Sequence, residues 1–367
     1  MKQVLIRQAR PLPTKMRTVV CAGLIAAGSW MTPSAIADNA IKTVDPVQFA
    51  QTPLTLSNGI QGTVVNVPSR DPVDYGPLLK GELGKEVTLT AQLFMPKNAR
   101  GPIPAVIVTP GSGNIGPHHI AHAATLTSAG IAALVLDPFT ARKVTSTVAD
   151  QSLVSWAAST YDVFAAIKVL RAQAGIDGAR IGATGGSRGG TAVMMAASAP
   201  LSNAILGPGK GLSAVVAGYP WCGAQFHSAK LADKASLLVL QGDKDDWVSV
   251  QQCQDATHAM KIAGQNVSMK LFPGALHSFD REGVPRTPIP EAVTSTIYPT
   301  VYMDDAGHYY NMRTGKVDPA LTKAVFDTYA VKGGFLRKGV TIGSDGTQAA
   351  EFSQEMLDFF KDRLQQP

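Results

Sequence analysis

The feature that most constrains the fold is a series of short apolar runs that begins after Pro104. The runs have strand length and start at Ala105, Ile131, Arg180, Ala214, Leu237 and Val267. Continuous apolar runs bounded by Gly, Pro or Asp are typical of parallel strands that are covered on both faces. Segments with helical apolar spacing lie at 152–173 and from Phe352 to Phe360. This alternation predicts a doubly wound α/β fold with functional loops at the carboxyl ends of the strands.

The composition of the chain permits one large buried core. Hydrophobic residues make up 45% and charged residues 16% of the 367 residues, which excludes a disordered or fibrous protein. We expect a main domain at 85–367, preceded by a turn-rich N-terminal extension at 38–84. The stretch at about 282–346 has little periodicity and is long for a loop, so we interpret it as a lid or an accessory excursion.

The first 37 residues have the pattern of a secretory signal peptide. A basic start precedes an apolar run from Thr18 to about Trp30, and Ala35-Ile36-Ala37 supplies the small residues of a cleavage site. The apolar run is shorter than the roughly 20 residues that span a bilayer, so no stable membrane anchor is expected. We therefore predict cleavage near Ala37 and export to the periplasm or the medium.

Removal of this segment changes the charge balance. Five of the 33 basic residues and none of the 27 acidic residues lie in the first 37 positions. The mature chain then carries 28 basic against 27 acidic residues, a net charge of about +1. A nucleic-acid partner is therefore not expected.

A serine between glycines follows the third apolar run. Gly185-Gly186-Ser187-Arg188-Gly189 fits the pattern G-x-S-x-G, and the helix-forming stretch TAVMMAASA comes soon after it. This pattern places a nucleophilic serine on a strained strand-to-helix turn, where side chains at the flanking positions would collide with backbone. The lysine of a phosphate-binding loop is absent, so the sequence favours a nucleophile over that alternative.

An acid and a base follow the next strands in the order that a serine hydrolase needs. A serine hydroxyl requires a base, and the base requires an orienting group. One strand ends in an acidic turn with Asp243, Asp245 and Asp246, and the last apolar strand is followed by His277. The order serine, acid, histidine is that of α/β-hydrolases.

The first apolar strand is followed by a loop that could bind an oxyanion. Gly111-Ser112-Gly113 allows backbone amides to approach a substrate oxygen. We expect Ser112 or Gly113 to donate through its backbone amide, together with the amide of Arg188 after the nucleophile. An ordinary turn is the alternative for this loop.

Three clustered histidines raise the question of a metal. His118, His119 and His122 lie close together, but no carboxylate or cysteine is interleaved at ligand spacing. A role at a helix start or in a pocket wall is therefore favoured, and we expect neither a metal nor another cofactor.

Together these segments resemble the dienelactone hydrolase family of α/β-hydrolases. The matching segments are PAVIVTPGSG, GIDGARIGATGGSRGG, GYPWCG, QGDKDDWVSVQQC and FPGALHSFD, in the family's order over roughly 86–279. The resemblance implies an α/β-hydrolase fold, with Asp245 as the acid, Asp246 as its alternative and His277 as the base. The founding members use a cysteine nucleophile, whereas this chain has Ser187. This departure favours a general carboxylic-ester hydrolase acting on a small-molecule ester.

Two cysteines remain after removal of the leader, Cys222 and Cys253. An exported chain with an even number of cysteines permits a disulfide, and two buried free thiols are the alternative. A subset of the family carries cysteines near these two strand ends, so the resemblance is consistent with a disulfide beside the acid.

Two other functional interpretations remain open. A peptidase or amidase of the prolyl-oligopeptidase type would use the same three residues, although the N-terminal repeat region of a β-propeller is absent. A non-catalytic α/β-hydrolase scaffold is the alternative from another class, and it would be expected to lack one of the three residues.

Overall fold

The structure of the protein is a computed structural model in which residues 42–365 are described. The signal peptide predicted at 1–37, with its cleavage site, lies outside these residues. None of the described helices is both long enough and apolar enough to cross a membrane.

A mostly parallel sheet forms the centre of the described chain. The strands are β1 (Thr63–Asp71), β2 (Lys85–Phe94), β3 (Ile103–Thr109), β4 (Ala132–Asp137), β5 (Ile176–Gly186), β6 (Ala214–Gly218), β7 (Ala224–Phe226), β8 (Ser236–Gly242), β9 (Val267–Phe272), β10 (Thr287–Thr294), β11 (Val301–Met303), β12 (Tyr310–Asn311), β13 (Lys316–Val317) and β14 (Arg337–Ile342). Within residues 42–365 the main sheet has eight strands, in the order β1-β2-β4-β3-β5-β6-β8-β9. The pairs β1–β2 and β2–β4 are antiparallel, and the other neighbours are parallel.

The six apolar runs of the sequence form β3, β4, β5, β6, β8 and β9, so the predicted doubly wound α/β-hydrolase fold is confirmed. Every residue of β3, β4 and β8 is buried. A strand of this kind has helices on both faces of its sheet, which is why its apolar residues do not alternate with polar ones.

The helices cover both faces of the sheet. They are α1 (Pro46–Gln51), α2 (Tyr75–Leu79), α3 (Pro117–Ser128), α4 (Trp156–Arg171), α5 (Arg188–Ala196), α6 (Ala199–Leu206), α7 (Val250–Ile262), α8 (Lys323–Lys332) and α9 (Gln348–Leu364). Phe164 of α4 and Val193 of α5 belong to the core on one face. Leu126 of α3 and Phe360 of α9 belong to the core on the other. The helices predicted at 152–173 and near the C-terminus correspond to α4 and α9.

Two regions outside the central strands add to this layout. The N-terminal extension contributes α1, α2 and the edge strand β1. The stretch 282–346 contains β10 to β14 and α8, in which β10 pairs with β14 and β11 pairs with β7. Because β7 follows β6, the stretch 282–346 lies beside the carboxyl ends of the parallel strands.

Candidate active site

Ser187 occupies the turn between β5 and α5. Its backbone has φ +55° and ψ −121°, a positive φ that a residue with a side chain rarely adopts. The amide of Ser187 donates to the carbonyl of Gly218 at 2.9 Å, which fixes the turn against β6. A serine is therefore held in a strained conformation at the carboxyl edge of the sheet.

The glycines around Ser187 are required by close backbone packing. A Cβ atom at Gly185 would lie 2.7 Å from the carbonyl oxygen of Thr109, and one at Gly189 would lie 2.3 Å from the same oxygen. A Cβ atom at Gly186 would lie 2.3 Å from the hydroxyl oxygen of Tyr219. Any larger residue at these positions would push the turn away from its neighbours.

His277 and Asp245 form a buried pair after β9 and β8. Nδ1 of His277 lies 2.7 Å from Oδ2 of Asp245, and both side chains are fully buried. Oδ1 of Asp245 accepts hydrogen bonds from the backbone amides of Trp247 and Val248, and Oδ2 also accepts one from Gln241. The carboxylate is thus held in one orientation toward the imidazole.

The carboxylates of Asp243 and Asp246, the two neighbouring acids, form hydrogen bonds with backbone amides instead of with His277. Asp246 accepts from the backbone amide of Thr341, and Asp243 accepts from that of Gly274. Of these three acids, Asp245 is the one that has a described hydrogen bond with the ring of His277.

Ser187 and His277 line the same small pocket, which has a volume of about 20 Å³. Nε2 of His277 is buried and has no hydrogen-bond partner among residues 42–365. The imidazole therefore lines the pocket with Nε2 free of any described hydrogen bond, while Nδ1 faces Asp245. Catalytic hydrogen bonds are often completed only when substrate is bound.

The loop after β3 forms another wall of this pocket. Ser112 and Gly113 line it together with Ser187. A Cβ atom at Gly111 would lie 3.0 Å from the carbonyl oxygen of Gly186, so this loop packs directly on the serine turn. The predicted oxyanion loop thus lies beside Ser187, and Arg188 directly follows Ser187 as the first residue of α5.

Comparison with known proteins identifies the family. The model of the dienelactone hydrolase family matches residues 89–295, which is more than half of the chain. The chain belongs to the dienelactone hydrolase family. A search of curated proteins found no match.

Similarity to solved structures, at low sequence identity, extends over about four-fifths of the chain. The structure named m3DLH has a TM-score of 0.50 and 16% identity, with 83% of this chain and 100% of that chain covered. A dienelactone hydrolase from Klebsiella pneumoniae subsp. pneumoniae has a TM-score of 0.48 and 18% identity, covering 81% of this chain and 98% of that chain. A dienelactone hydrolase-like promiscuous phosphotriesterase from metagenomic libraries has a TM-score of 0.48 and 18% identity, covering 82% and 98%.

A second buried polar cluster of the hydrolase lies beside His277, and no sequence motif indicates it. Asp280 accepts a hydrogen bond of 2.6 Å from the hydroxyl of Tyr219, and its other oxygen lies 3.0 Å from Nε2 of His122. Burial alone would raise the pKa of Asp280, but His118, His122 and Tyr219 hold it well below its usual range. Asp280 is therefore an ionised carboxylate, and the ring of Tyr219 that it anchors lies 4.8 Å from the ring of His277.

The three clustered histidines lie in α3. His118 and His119 line the small pocket, which agrees with a role in a pocket wall. Burial lowers the pKa of His119 to about 3 and lowers that of His118 well below its ordinary value. Within the described part of the chain, no group of three or more His, Cys, Asp or Glu side chains could hold a metal ion.

The side chain of Arg188 has a structural task that the motif does not reveal. Its guanidinium is buried and donates to the carbonyl oxygens of Gln151 and Val154 and to the side chain of Gln151. It also lies over the ring of Trp156, 4.2 Å from the ring centroid. Burial lowers the pKa of Arg188 to about 9, so it remains charged at neutral pH. Arg188 thus joins the serine turn to the loop before α4.

Cys222 and Cys253 are joined by a disulfide with an S–S distance of 2.09 Å, the pairing that the family resemblance suggested. Cys222 directly follows Trp221 in the loop after β6, and Cys253 lies in α7. The bond therefore ties the loop that carries Trp221 to the helix that follows the Asp245 turn.

Proposed function

We propose that the protein is an exported serine hydrolase that cleaves carboxylic esters through an acyl-enzyme intermediate. This proposal rests on the placement of Ser187 and His277 on the wall of one pocket, where Nε2 of His277 has no described hydrogen-bond partner. Asp245 on the far side of the imidazole supports it, because the imidazolium formed during the reaction needs a neighbouring carboxylate.

The proposed reaction has two steps, acylation and deacylation of Ser187, and His277 acts as the base in both. Oγ of Ser187 attacks the ester carbonyl while Nε2 of His277 accepts its proton, and the alcohol then departs with that proton. Water next attacks the acyl-serine with His277 again as base, which releases the carboxylic acid and restores the serine. The backbone amide of Ser112 or Gly113 and that of Arg188 stabilise the oxyanion, and one such donor is typically worth about 2.7–4 kcal/mol in the transition state.

Export is supported by two features of the chain. The N-terminal 37 residues have the signal-peptide pattern, and the Cys222–Cys253 disulfide is of a kind that persists in oxidising compartments. Expression of the full chain in a Gram-negative host should yield a periplasmic product that begins near Asp38. Recovery of an uncleaved chain from the cytoplasm would contradict this part of the proposal.

Hydrolysis of a short-chain p-nitrophenyl ester tests the proposed chemistry. Ser187→Ala should lower kcat by at least about a thousandfold, whereas Ser57→Ala, at an exposed serine, should leave it unchanged. A fluorophosphonate probe should label Ser187, as shown by mass spectrometry of the modified peptide. Activity retained by Ser187→Ala would contradict the mechanism, and absence of labelling in folded protein would favour the scaffold interpretation. Faster cleavage of a matched anilide than of the ester would favour an amidase.

A further inference from the structure

Two cavities of very different size meet at Ser187. One is the small pocket described above, and the other is a chamber of about 660 Å³, which we call the aromatic chamber. Ser112, Ser187 and Trp247 line both cavities, whereas His277 lines the small pocket and is absent from the chamber wall. An ester bound with its carbonyl carbon at Ser187 would therefore place its two halves in unequal spaces.

On the basis of the ester hydrolysis proposed above, we propose that the aromatic chamber binds the acyl half of the substrate. The substrate class that fits is esters of bulky, uncharged aromatic carboxylic acids with small alcohols. Both the bulk of the acid and the direction of the ester bond follow from the placement of side chains around Ser187.

Several aromatic rings form a contiguous part of the chamber wall. The ring centroids of Trp156 and Trp221 are 4.8 Å apart, and those of Trp221 and Tyr298 are 5.7 Å apart. Tyr309 and Trp247 also line the cavity. Contiguous rings provide stacking and edge contacts for another ring, and a volume of this size is typical of sites for small organic ligands.

Five charged side chains line the chamber: three have partners in the wall, and the other two, Asp150 and Lys332, are exposed to solvent. Asp74 accepts hydrogen bonds from the hydroxyl of Tyr309 and the backbone amide of Lys323. Asp327 forms an ion pair with the ammonium group of Lys323 and accepts a hydrogen bond from the hydroxyl of Tyr298. Because Asp74, Lys323 and Asp327 already have partners and the two exposed charges are hydrated, a charged ligand would gain little from any of them. The arrangement favours an uncharged aromatic group.

The location of His277 sets the direction of the ester bond. The departing alkoxide takes its proton from Nε2 of His277, so the alcohol must lie on the side of Ser187 where that nitrogen is. That side is the small pocket, whose volume of about 20 Å³ is little more than a single water molecule needs. The alcohol is therefore small, and the bulky half that enters the chamber is the acid.

A pair of isomeric esters tests this assignment directly. Methyl 2-naphthylacetate and 2-naphthylmethyl acetate contain the same atoms, have alcohols of similar acidity and differ in the direction of the ester bond. Wild-type enzyme should hydrolyse methyl 2-naphthylacetate with a kcat/KM at least about tenfold higher, the order of discrimination that a steric mismatch produces. Equal values, or a preference for 2-naphthylmethyl acetate, would overturn the assignment.

Two substitutions on α8 test the role of the chamber. Ala324 lines the chamber and is exposed, and Val325 is its exposed neighbour outside the lining. Ala324→Trp should lower kcat/KM for methyl 2-naphthylacetate at least about tenfold, whereas Val325→Trp should leave it unchanged. Thermal unfolding of both variants checks that each is folded. Equal effects of the two substitutions would overturn the proposal.

The assays distinguish a failure of the chamber assignment from a failure of the proposed ester hydrolysis. Ser187-dependent hydrolysis of methyl acetate, in which both halves are small, without a preference between the naphthyl isomers would overturn the chamber assignment alone. Absence of any Ser187-dependent ester hydrolysis would overturn the proposed function and this inference with it.

Discussion

Tyr219 donates its hydroxyl hydrogen to Asp280 across 2.6 Å, with both side chains buried. Because the ring of Tyr219 also lies 4.8 Å from that of His277, this hydrogen bond fixes a ring on which the candidate catalytic histidine packs. The structure thus couples the charge of Asp280 to the position of His277.

Tyr219→Phe should destabilise the protein more than it slows catalysis. The variant keeps the ring beside His277 but removes a donor from a buried carboxylate, which should lower the free energy of unfolding by about 1.5–3 kcal/mol. Urea denaturation measures this loss, with Tyr329→Phe as a control because Tyr329 is 56% exposed. Unchanged stability of Tyr219→Phe would show that Asp280 does not depend on this hydrogen bond.

Asp245→Asn should lower kcat far more than the same change at either neighbouring acid. The asparagine amide would present hydrogens where Asp245 now accepts from His277 and Gln241, so the imidazole would be held in the wrong tautomer. By analogy with other triads, kcat should fall about 10³- to 10⁴-fold. Steady-state hydrolysis of a p-nitrophenyl ester measures the loss.

The neighbouring acids provide the matched controls for this substitution. Asp246→Asn and Asp243→Asn change residues whose hydrogen bonds go to backbone amides elsewhere, so kcat should stay close to wild type. A larger loss in Asp246→Asn than in Asp245→Asn would assign the acid to Asp246, the alternative that the sequence leaves open.

The strands could be predicted from the sequence because the apolar run that indicates each strand lies within the strand itself. A strand that is buried on both faces is mostly apolar, as the fully buried strands β3, β4 and β8 are. The candidate site residues were predictable because parallel strands end at one edge of the sheet. Ser187, Asp245 and His277 each follow such a strand, so their order along the chain was enough to expect them together.

The surroundings of the site could not be predicted from local pattern. Asp280 follows His277 by three residues and resembles a surface acid, yet it is buried against Tyr219 and His122. The chamber joins Trp156 and Trp221 to Tyr298 of the stretch 282–346. These contacts arise from tertiary packing between segments far apart in the chain, and neither periodicity nor a motif records them.

Stability should decrease as the pH falls from about 6.5 toward 3, because His119 is buried in its neutral form. Burial lowers its pKa to about 3 in the folded protein, whereas the unfolded chain binds a proton near pH 6.5. The folded state therefore holds fewer protons in this range, and each pH unit should cost up to about 1.4 kcal/mol for this group. The pKa of His118 is lowered in the same direction, so it should add to the slope.

Urea denaturation at several pH values from 7.5 to about 4.5 measures this dependence. His119→Gln should flatten the profile, since glutamine does not titrate and can still accept from the amide of Gly116, as Nδ1 of His119 does. His258→Gln serves as the control because His258 is exposed. Asp280, whose pKa is lowered, should contribute only below about pH 4. An unchanged slope in His119→Gln would contradict the assignment.

Loss of the Cys222–Cys253 disulfide should lower both stability and the affinity for aromatic esters. The cysteines are 31 residues apart, and closing a loop of this length stabilises a protein by about 3–4 kcal/mol through the unfolded state. The bond also anchors Trp221, whose ring packs against that of Trp156 in the chamber wall. In the double variant Cys222→Ser/Cys253→Ser, KM for methyl 2-naphthylacetate should therefore rise more than kcat falls.

A reducing agent supplies the matched comparison for this variant. Dithiothreitol should lower the unfolding midpoint of the wild type toward that of Cys222→Ser/Cys253→Ser and should leave the double variant unchanged. Protein expressed as residues 38–367, denatured without reduction, should contain no thiol that reacts with Ellman's reagent, since Cys222 and Cys253 are the two cysteines of that segment. Two reactive thiols under these conditions would show that the bond does not form, and the position of Trp221 would then depend on packing alone.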